Sequence, residues 1–121
     1  MSAIVAIPAR LNSSRFLRKV LVDIHGQSML WHVYQGVSKA KLISDIWVLT
    51  DSDEVYAEAT SWGAKALMTS PDCPSGTARI ASVMDRLPGD IIVNVQGDEP
   101  MISGEVVDAV VNALEETDAD A

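Results

Sequence analysis

The chain has 121 residues, of which 48% are hydrophobic, and its formal net charge is −8. This length fits a single domain, and the acidic balance argues against a general nucleic-acid binder. No apolar run approaches the roughly 18 residues of a membrane span. The single cysteine, Cys73, cannot form an internal disulfide, so we expect a cytoplasmic protein with no membrane segment.

Positive charge is concentrated at the start of the chain. Residues 1–22 contain Arg10, Arg15, Arg18 and Lys19 and no acid, whereas the remaining residues hold five basic and 17 acidic side chains. A small anionic ligand suits such a confined basic segment better than an extended nucleic-acid backbone does.

Short apolar strands alternate with amphipathic helices along the chain. Hydrophobic periodicity and turn residues predict, in order, a strand at 3–9, a helix at 28–39, a strand at 45–50, a helix from about 52 to Gly63, a strand at 65–68, a helix at 76–86, a strand at 90–95 and a helix at 103–116. Such alternation predicts an α/β fold with a mainly parallel sheet and helices on both faces. Ligands of these sheets bind at the carboxyl ends of the strands.

Three segments at predicted strand ends or helix starts carry candidate chemistry. The first, residues 8–19, follows the first strand, and its arginines and lysine suit a polyphosphate, although an exposed basic loop is the alternative. The second is Ser75-Gly76-Thr77, where Ser75 is a natural N-cap and Gly76 permits close approach of a ligand, although an ordinary capped helix explains both residues.

The third segment, 96–100, reads Gln96-Gly97-Asp98-Glu99-Pro100 and follows the most strand-like run of the chain. A carboxylate at a strand's carboxyl end suits Mg²⁺ shared with substrate phosphates. Asp98 is the better candidate ligand, because strand geometry points it at the crevice, whereas Glu99 is also explained as a surface charge or a helix-start residue.

Taken together, these motifs resemble the 3-deoxy-manno-octulosonate cytidylyltransferase family along essentially the whole chain. The matching positions are Pro8, Ala9, Arg10, Ser13, Arg15, Lys19, Asp23 to Gly26, Met29, Thr50-Asp51, Gly63-Ala64, Met68-Thr69, Ser75 to Thr77, Arg79 and Val93 to Pro100. The resemblance implies a Rossmann-like, nucleotide-sugar transferase type of α/β sandwich. It also implies transfer of CMP from CTP to an acidic sugar in lipopolysaccharide precursor synthesis, with Mg²⁺ as cofactor and a homodimer for full-length members.

The resemblance assigns roles to matching residues. Arg10, Lys19 and Asp98 would be catalytic, with Asp98 as the magnesium ligand. The CTP site would be lined by Ala9, Arg10, Arg15, Lys19, Ser75, Gly76 and Gln96. The sugar's anomeric hydroxyl would attack the α-phosphorus and pyrophosphate would leave, without a covalent enzyme intermediate.

Several positions depart from the family pattern. Arg18 replaces a glycine of the phosphate loop, Cys73-Pro74 replaces His-Gln, and Ala78 replaces an acid. Because family members continue for about as long again, we expect residues 1–121 to form a truncated, nucleotide-binding part without the sugar-binding half, inactive by itself. The alternatives are a non-catalytic CTP-binding module and a cytidylyltransferase for another acidic sugar, such as a sialate.

Overall fold

The computed structural model describes residues 3–9, 21–70, 75–87, 91–96 and 103–116. A four-stranded sheet lies at its centre, and a two-stranded hairpin stands beside it. The strands are β1 (Ala3–Pro8), β2 (Asp23–Ile24), β3 (Gln27–Ser28), β4 (Asp45–Thr50), β5 (Lys65–Met68) and β6 (Ile91–Asn94). The central sheet has the order β5-β4-β1-β6, and every neighbouring pair in it is parallel.

Within the described residues, four helices connect or follow the strands: α1 (Met29–Ser38), α2 (Asp53–Ser61), α3 (Gly76–Ser82) and α4 (Gly104–Glu116). Serine side chains cap the first three, since Ser28, Ser52 and Ser75 accept hydrogen bonds from backbone N–H groups three residues on. Helix α2 is followed by Gly63, whose φ of 85° is the left-handed conformation that ends many helices.

The alternation of side chains along the strands divides the core between the two faces of the sheet. One face packs against α1, α2 and α4, through a cluster that includes Val5, Ile7, Val33, Val55 and Val107. The opposite face is covered by α3 and the turn after it, through Ile4, Ala6, Leu49, Ile80, Val83 and Leu87. The predicted parallel sheet with helices on both faces is therefore confirmed.

Two details differ from the sequence-based expectation. Helix α3 ends at Ser82 instead of continuing to residue 86, and a separate 3-10 turn spans Met84–Arg86. This tighter turn allows both Val83 and Leu87 to pack against the sheet. The second difference is the β2–β3 hairpin, whose turn contains His25 at φ 54° and Gly26 at φ 90°. Within the described ranges, no helix has the length and apolar character needed to cross a membrane.

Candidate functional site

The strand order changes direction between β1 and β6. From β1 the chain proceeds outward to β4 and then β5, and α3 then carries it back across the sheet to β6 on the other side of β1. The crevice beyond the carboxyl ends of two such strands is where open α/β sheets bind their ligands. The topology therefore places the candidate site next to Pro8 and Gln96.

The start of α3 lies directly against this crevice. A Cβ at position 76 would be 2.9 Å from Cγ of Pro8, 2.9 Å from Nε2 of Gln96 and 3.0 Å from its Oε1. Real Cβ atoms almost never approach other atoms so closely, so glycine permits this contact between α3 and the ends of β1 and β6. Ser75, the exposed N-cap residue, accepts a hydrogen bond from the N–H of Ala78 at 3.1 Å.

A chain of polar side chains runs from α3 to the end of β6. Asn94 donates through Nδ2 to Oγ1 of Thr77 at 3.5 Å, and its Oδ1 accepts Nε2–H of Gln96 at 3.1 Å. Asn94 thus orients the side-chain amide of Gln96, which offers both a donor group and an acceptor group at the crevice. A side-chain amide held in this way suits recognition of a ligand that itself carries both donors and acceptors.

A buried arginine lies behind the start of α3. Arg79 has no exposed surface, and its Nη1 donates to Oγ1 of Thr69 and, at 3.1 Å, to the carbonyl of Ser70. Its inward position was not predicted from the sequence, although Gly76, Arg79 and Val83 recur at the spacing of one helical face. Asn94 and Thr77 were likewise matched as part of motifs without a stated role.

The structure brings together part of the predicted site. Gly76 and Gln96 are in direct contact, and Ala9, fully buried, follows the Pro8 that completes this contact. Ala9 is held by its N–H, which donates to the carbonyl of Leu49 at 2.8 Å. The predicted roles of Arg10, Arg15, Lys19 and Asp98 fall on positions outside the described residues.

The histidines and one tryptophan occupy structural positions. His25 lies in the hairpin turn, and His32 is half-buried, with its Nε2 2.7 Å from the carbonyl oxygen of Ile24. Trp62 packs against Tyr34 with 5.4 Å between ring centroids. The described part of the chain contains no group of three or more metal-ligating side chains.

The chain is similar to a protein family and to individual relatives over nearly all of its length. Residues 4–121 match the family model described as Cytidylyltransferase. A 3-deoxy-manno-octulosonate cytidylyltransferase of Geobacter sulfurreducens is 42% identical over 119 residues, which cover 98% of this chain and 48% of the relative. An 8-amino-3,8-dideoxy-manno-octulosonate cytidylyltransferase of a Shewanella species is also 42% identical, over 95% of this chain and 48% of its own length.

The fold has a close counterpart among solved structures. CMP:2-keto-3-deoxy-manno-octonic acid synthetase complexed with CTP superposes with a TM-score of 0.94 at 39% identity, over 98% of this chain and 49% of that one. The chain thus spans about half the length of the relatives it matches. The extent of the family match and the identity to these relatives show that the chain belongs to the cytidylyltransferase family.

Proposed function

We propose that this chain binds CTP in the crevice between β1 and β6 and forms the nucleotide-binding part of an enzyme that transfers CMP to 3-deoxy-manno-octulosonate. The observation that carries the proposal is the approach of Gly76 to Pro8 and Gln96 at the reversal of strand order. The likeness of the whole chain to a synthetase solved with CTP supports the same ligand.

The base of the nucleotide would lie beside Ser75, Gly76 and Gln96. Gln96 can match a base edge that carries a donor next to an acceptor, because its own amide offers one of each. Its orientation is restricted by the hydrogen bond to Asn94. Gly76 has no side chain that would fill the space in front of this amide, so the base can approach the backbone at the start of α3.

The triphosphate would lie beside the basic segment that follows β1. Arg10 and Arg15 have the planar donor geometry that matches phosphate oxygens, and Lys19 adds a compact positive charge. Ala9 would contribute to the same wall of the site, since it lies at the end of β1, where this segment begins. This arrangement separates recognition of the base from neutralisation of the phosphates.

In the proposed reaction, the anomeric hydroxyl oxygen of the sugar forms a bond to the α-phosphorus. The bond from that phosphorus to the bridging oxygen breaks, pyrophosphate leaves with the electron pair, and the hydroxyl proton is released. Arg10 and Lys19 would stabilise the charge that develops on the phosphate oxygens, and the base contacts would hold the nucleotide in line with the attacking oxygen.

Mg²⁺ fits the chemistry of one residue in this region. Asp98 follows the end of β6 by four residues, and carboxylate oxygens are the ligands that magnesium prefers. When bound, the ion would neutralise charge shared by the α-phosphate and the departing pyrophosphate. Asp98 would hold it and leave its other positions to water and phosphate oxygens.

The proposed sugar is that of the structurally similar synthetase. The two curated relatives that use different eight-carbon sugars are equally identical to this chain, each at 42%. This equal identity gives no preference between the 8-amino sugar and 3-deoxy-manno-octulosonate. We choose the latter because it is also the sugar of the structurally similar synthetase.

Calorimetry with CTP and with UTP, each in the presence of Mg²⁺, tests the nucleotide part of this proposal. We expect CTP to bind at least about tenfold more tightly than UTP, which corresponds to about 1.4 kcal/mol of base discrimination. Equal affinity for the two nucleotides, or no binding of CTP, would refute it. Pyrophosphate release with each sugar in turn, measured after adding the sugar-binding half expected from the family resemblance, then identifies the acceptor.

A further inference from the structure

Arg79 is the largest fully buried side chain among the described residues. Its Nη1 is hydrogen-bonded to Thr69 and Ser70, but its Nε and Nη2 have no acceptor within the described part of the chain. Burying a cation costs free energy unless hydrogen bonds and opposite charge compensate for it. Arg79 is therefore poorly explained as a residue that simply stabilises the core.

The contacts of Arg79 connect two distant parts of the sheet. Thr69 follows β5, at one edge of the sheet, and is fixed there by a backbone hydrogen bond to the carbonyl of Thr50 at 2.8 Å. Gly76, one helical turn before Arg79, contacts Pro8 and Gln96 at the ends of β1 and β6. Helix α3 thus crosses the sheet. Gly76 lies at the candidate site, and the guanidinium of Arg79 is hydrogen-bonded to the residues that follow β5, at the opposite edge of the sheet.

Helix α3 has only seven residues. The contact of Gly76 with Gln96 depends on the distance between α3 and the strand ends, because a glycine has no side chain to bridge a wider gap. A displacement of about 1 Å is enough to impair a positioned contact. The hydrogen bonds from Arg79 to Thr69 and Ser70 resist such a displacement at the β5 edge.

We propose that Arg79 is a positioning residue for nucleotide selectivity, which holds the Ser75–Gly76 turn against Pro8 and Gln96 on the base side of the crevice. This inference rests on the proposed CTP site. Arg79 itself does not touch the nucleotide in this arrangement, since its side chain is fully buried behind α3. It acts by fixing the position of the start of α3 relative to the side-chain amide of Gln96.

The test is Arg79→Met, which keeps an unbranched side chain of similar length but removes the charge and its hydrogen bonds. Calorimetry with CTP and with UTP, together with thermal unfolding, is performed on the wild type and the variant. We expect affinity for CTP to fall about tenfold, because the contact between Gly76 and Gln96 beside the base is displaced, and affinity for UTP to change less than about twofold. The melting temperature should change by no more than about 4 °C.

If Arg79 only stabilises the fold, the affinities for both nucleotides fall together or the melting temperature drops by more than about 4 °C. That result, or an unchanged preference for CTP, overturns the inference. Arg86→Met, at an exposed arginine of the 3-10 turn, is the matched control and should alter none of these quantities. Absence of CTP selectivity in the wild type would instead refute the proposed function, so the two failures are distinguishable.

If Arg79→Met does not fold, Thr69→Val decides the question. This variant removes the hydroxyl that accepts from Nη1 of Arg79 but leaves the arginine and the size of the side chain at position 69. We expect a selective loss of CTP affinity of about threefold, smaller because the carbonyl of Ser70 still accepts from Nη1. An unchanged ratio of CTP to UTP affinity in Thr69→Val would overturn the inference.

Discussion

The carboxylate of Asp108 accepts the backbone N–H of Leu42 at 2.8 Å, across 66 positions of sequence. The same carboxylate accepts the N–H of Lys41, at 2.9 Å to one oxygen and 3.0 Å to the other. Asp108 lies in the middle of α4, whereas Lys41 and Leu42 lie between α1 and β4. The side chain of Asp108 on α4 therefore satisfies backbone N–H donors in the segment that follows α1.

Replacement of Asp108 by alanine should destabilise the fold by about 1–2 kcal/mol, the usual cost of losing a carboxylate that accepts backbone N–H groups. Asp108→Asn keeps one acceptor oxygen and should cost less than the alanine variant. Chemical unfolding of the three proteins measures the difference. Equal stability of wild type and Asp108→Ala would show that water replaces the carboxylate without loss.

Gly104, the first residue of α4, tests the same junction between the first and last helices. In a helix, alanine is ordinarily more favourable than glycine by about 1 kcal/mol. Here, a Cβ would lie 2.4 Å from the backbone nitrogen of Ala40 and 2.5 Å from the carbonyl carbon of Lys39. Because backbone atoms must move to admit it, Gly104→Ala should destabilise the protein by about 1–3 kcal/mol.

Helix propensity alone predicts that Gly104→Ala stabilises the protein, whereas the close backbone contact predicts that it destabilises the protein. The measured change in stability therefore distinguishes the two effects. Thermal unfolding of Gly104→Ala provides it, with Glu105→Ala at the next, exposed position as the control. A melting temperature that rises in Gly104→Ala would mean that α4 and the end of α1 are further apart than the structure shows.

The order and type of the main elements could be predicted because each has a local pattern. Strands such as Ala3–Pro8 read as continuous apolar runs, and each of the first three helices has a serine N-cap. The contacts of Asp108 and Gly104 could not be predicted in this way. Their partners lie more than 60 residues away, and an exposed-looking aspartate or a helix-start glycine has no local feature that identifies such a partner.

In the candidate site, too, some features could be predicted from the sequence and others could not. Gly76 was singled out because it lies at a helix start, and the family resemblance assigned Gln96 to the same site. The topology then brings the two residues together. Arg79 was matched as a motif residue but given no role, since an arginine in a helix is ordinarily exposed. Only the three-dimensional path of α3 across the sheet shows that its guanidinium is enclosed.

Gly76→Ala should separate the start of α3 from the strand ends. The added Cβ would lie 2.9 Å from Cγ of Pro8, in a ring that cannot rotate away, although the amide of Gln96 can partly adjust. We expect a loss of stability of about 1–2 kcal/mol and a fall in CTP affinity of about tenfold. Ala81→Ser, at an exposed position of the same helix, is the control. Unchanged CTP affinity in Gly76→Ala would place the base elsewhere.

Lys19→Ala tests the phosphate side of the proposed site. We expect CTP affinity to weaken by about 1–3 kcal/mol, as for loss of a charged hydrogen bond. Affinity for UTP should weaken by the same factor, because the two nucleotides have the same triphosphate. Calorimetry with both nucleotides provides the comparison, and Lys39→Ala, at an exposed lysine that caps the end of α1, is the control. Equal CTP affinity in wild type and Lys19→Ala would remove this lysine from the site.

Asp98→Asn tests the proposed magnesium ligand. The substitution keeps the size and one oxygen of the side chain but removes the negative charge that attracts a divalent cation. In the wild type, Mg²⁺ should increase CTP affinity, because the ion is bound by the carboxylate and the phosphates together. In Asp98→Asn this magnesium-dependent increase should disappear.

The amide variant should nevertheless retain magnesium-independent binding of CTP, and even bind the nucleotide slightly better without the ion, because one negative charge near the triphosphate has been removed. Calorimetric titrations of CTP with and without Mg²⁺ measure both effects. Asp85→Asn changes an exposed aspartate of the 3-10 turn and should behave as the wild type does. If the magnesium-dependent increase survives in Asp98→Asn, another group binds the ion, and Glu99 becomes the next residue to replace.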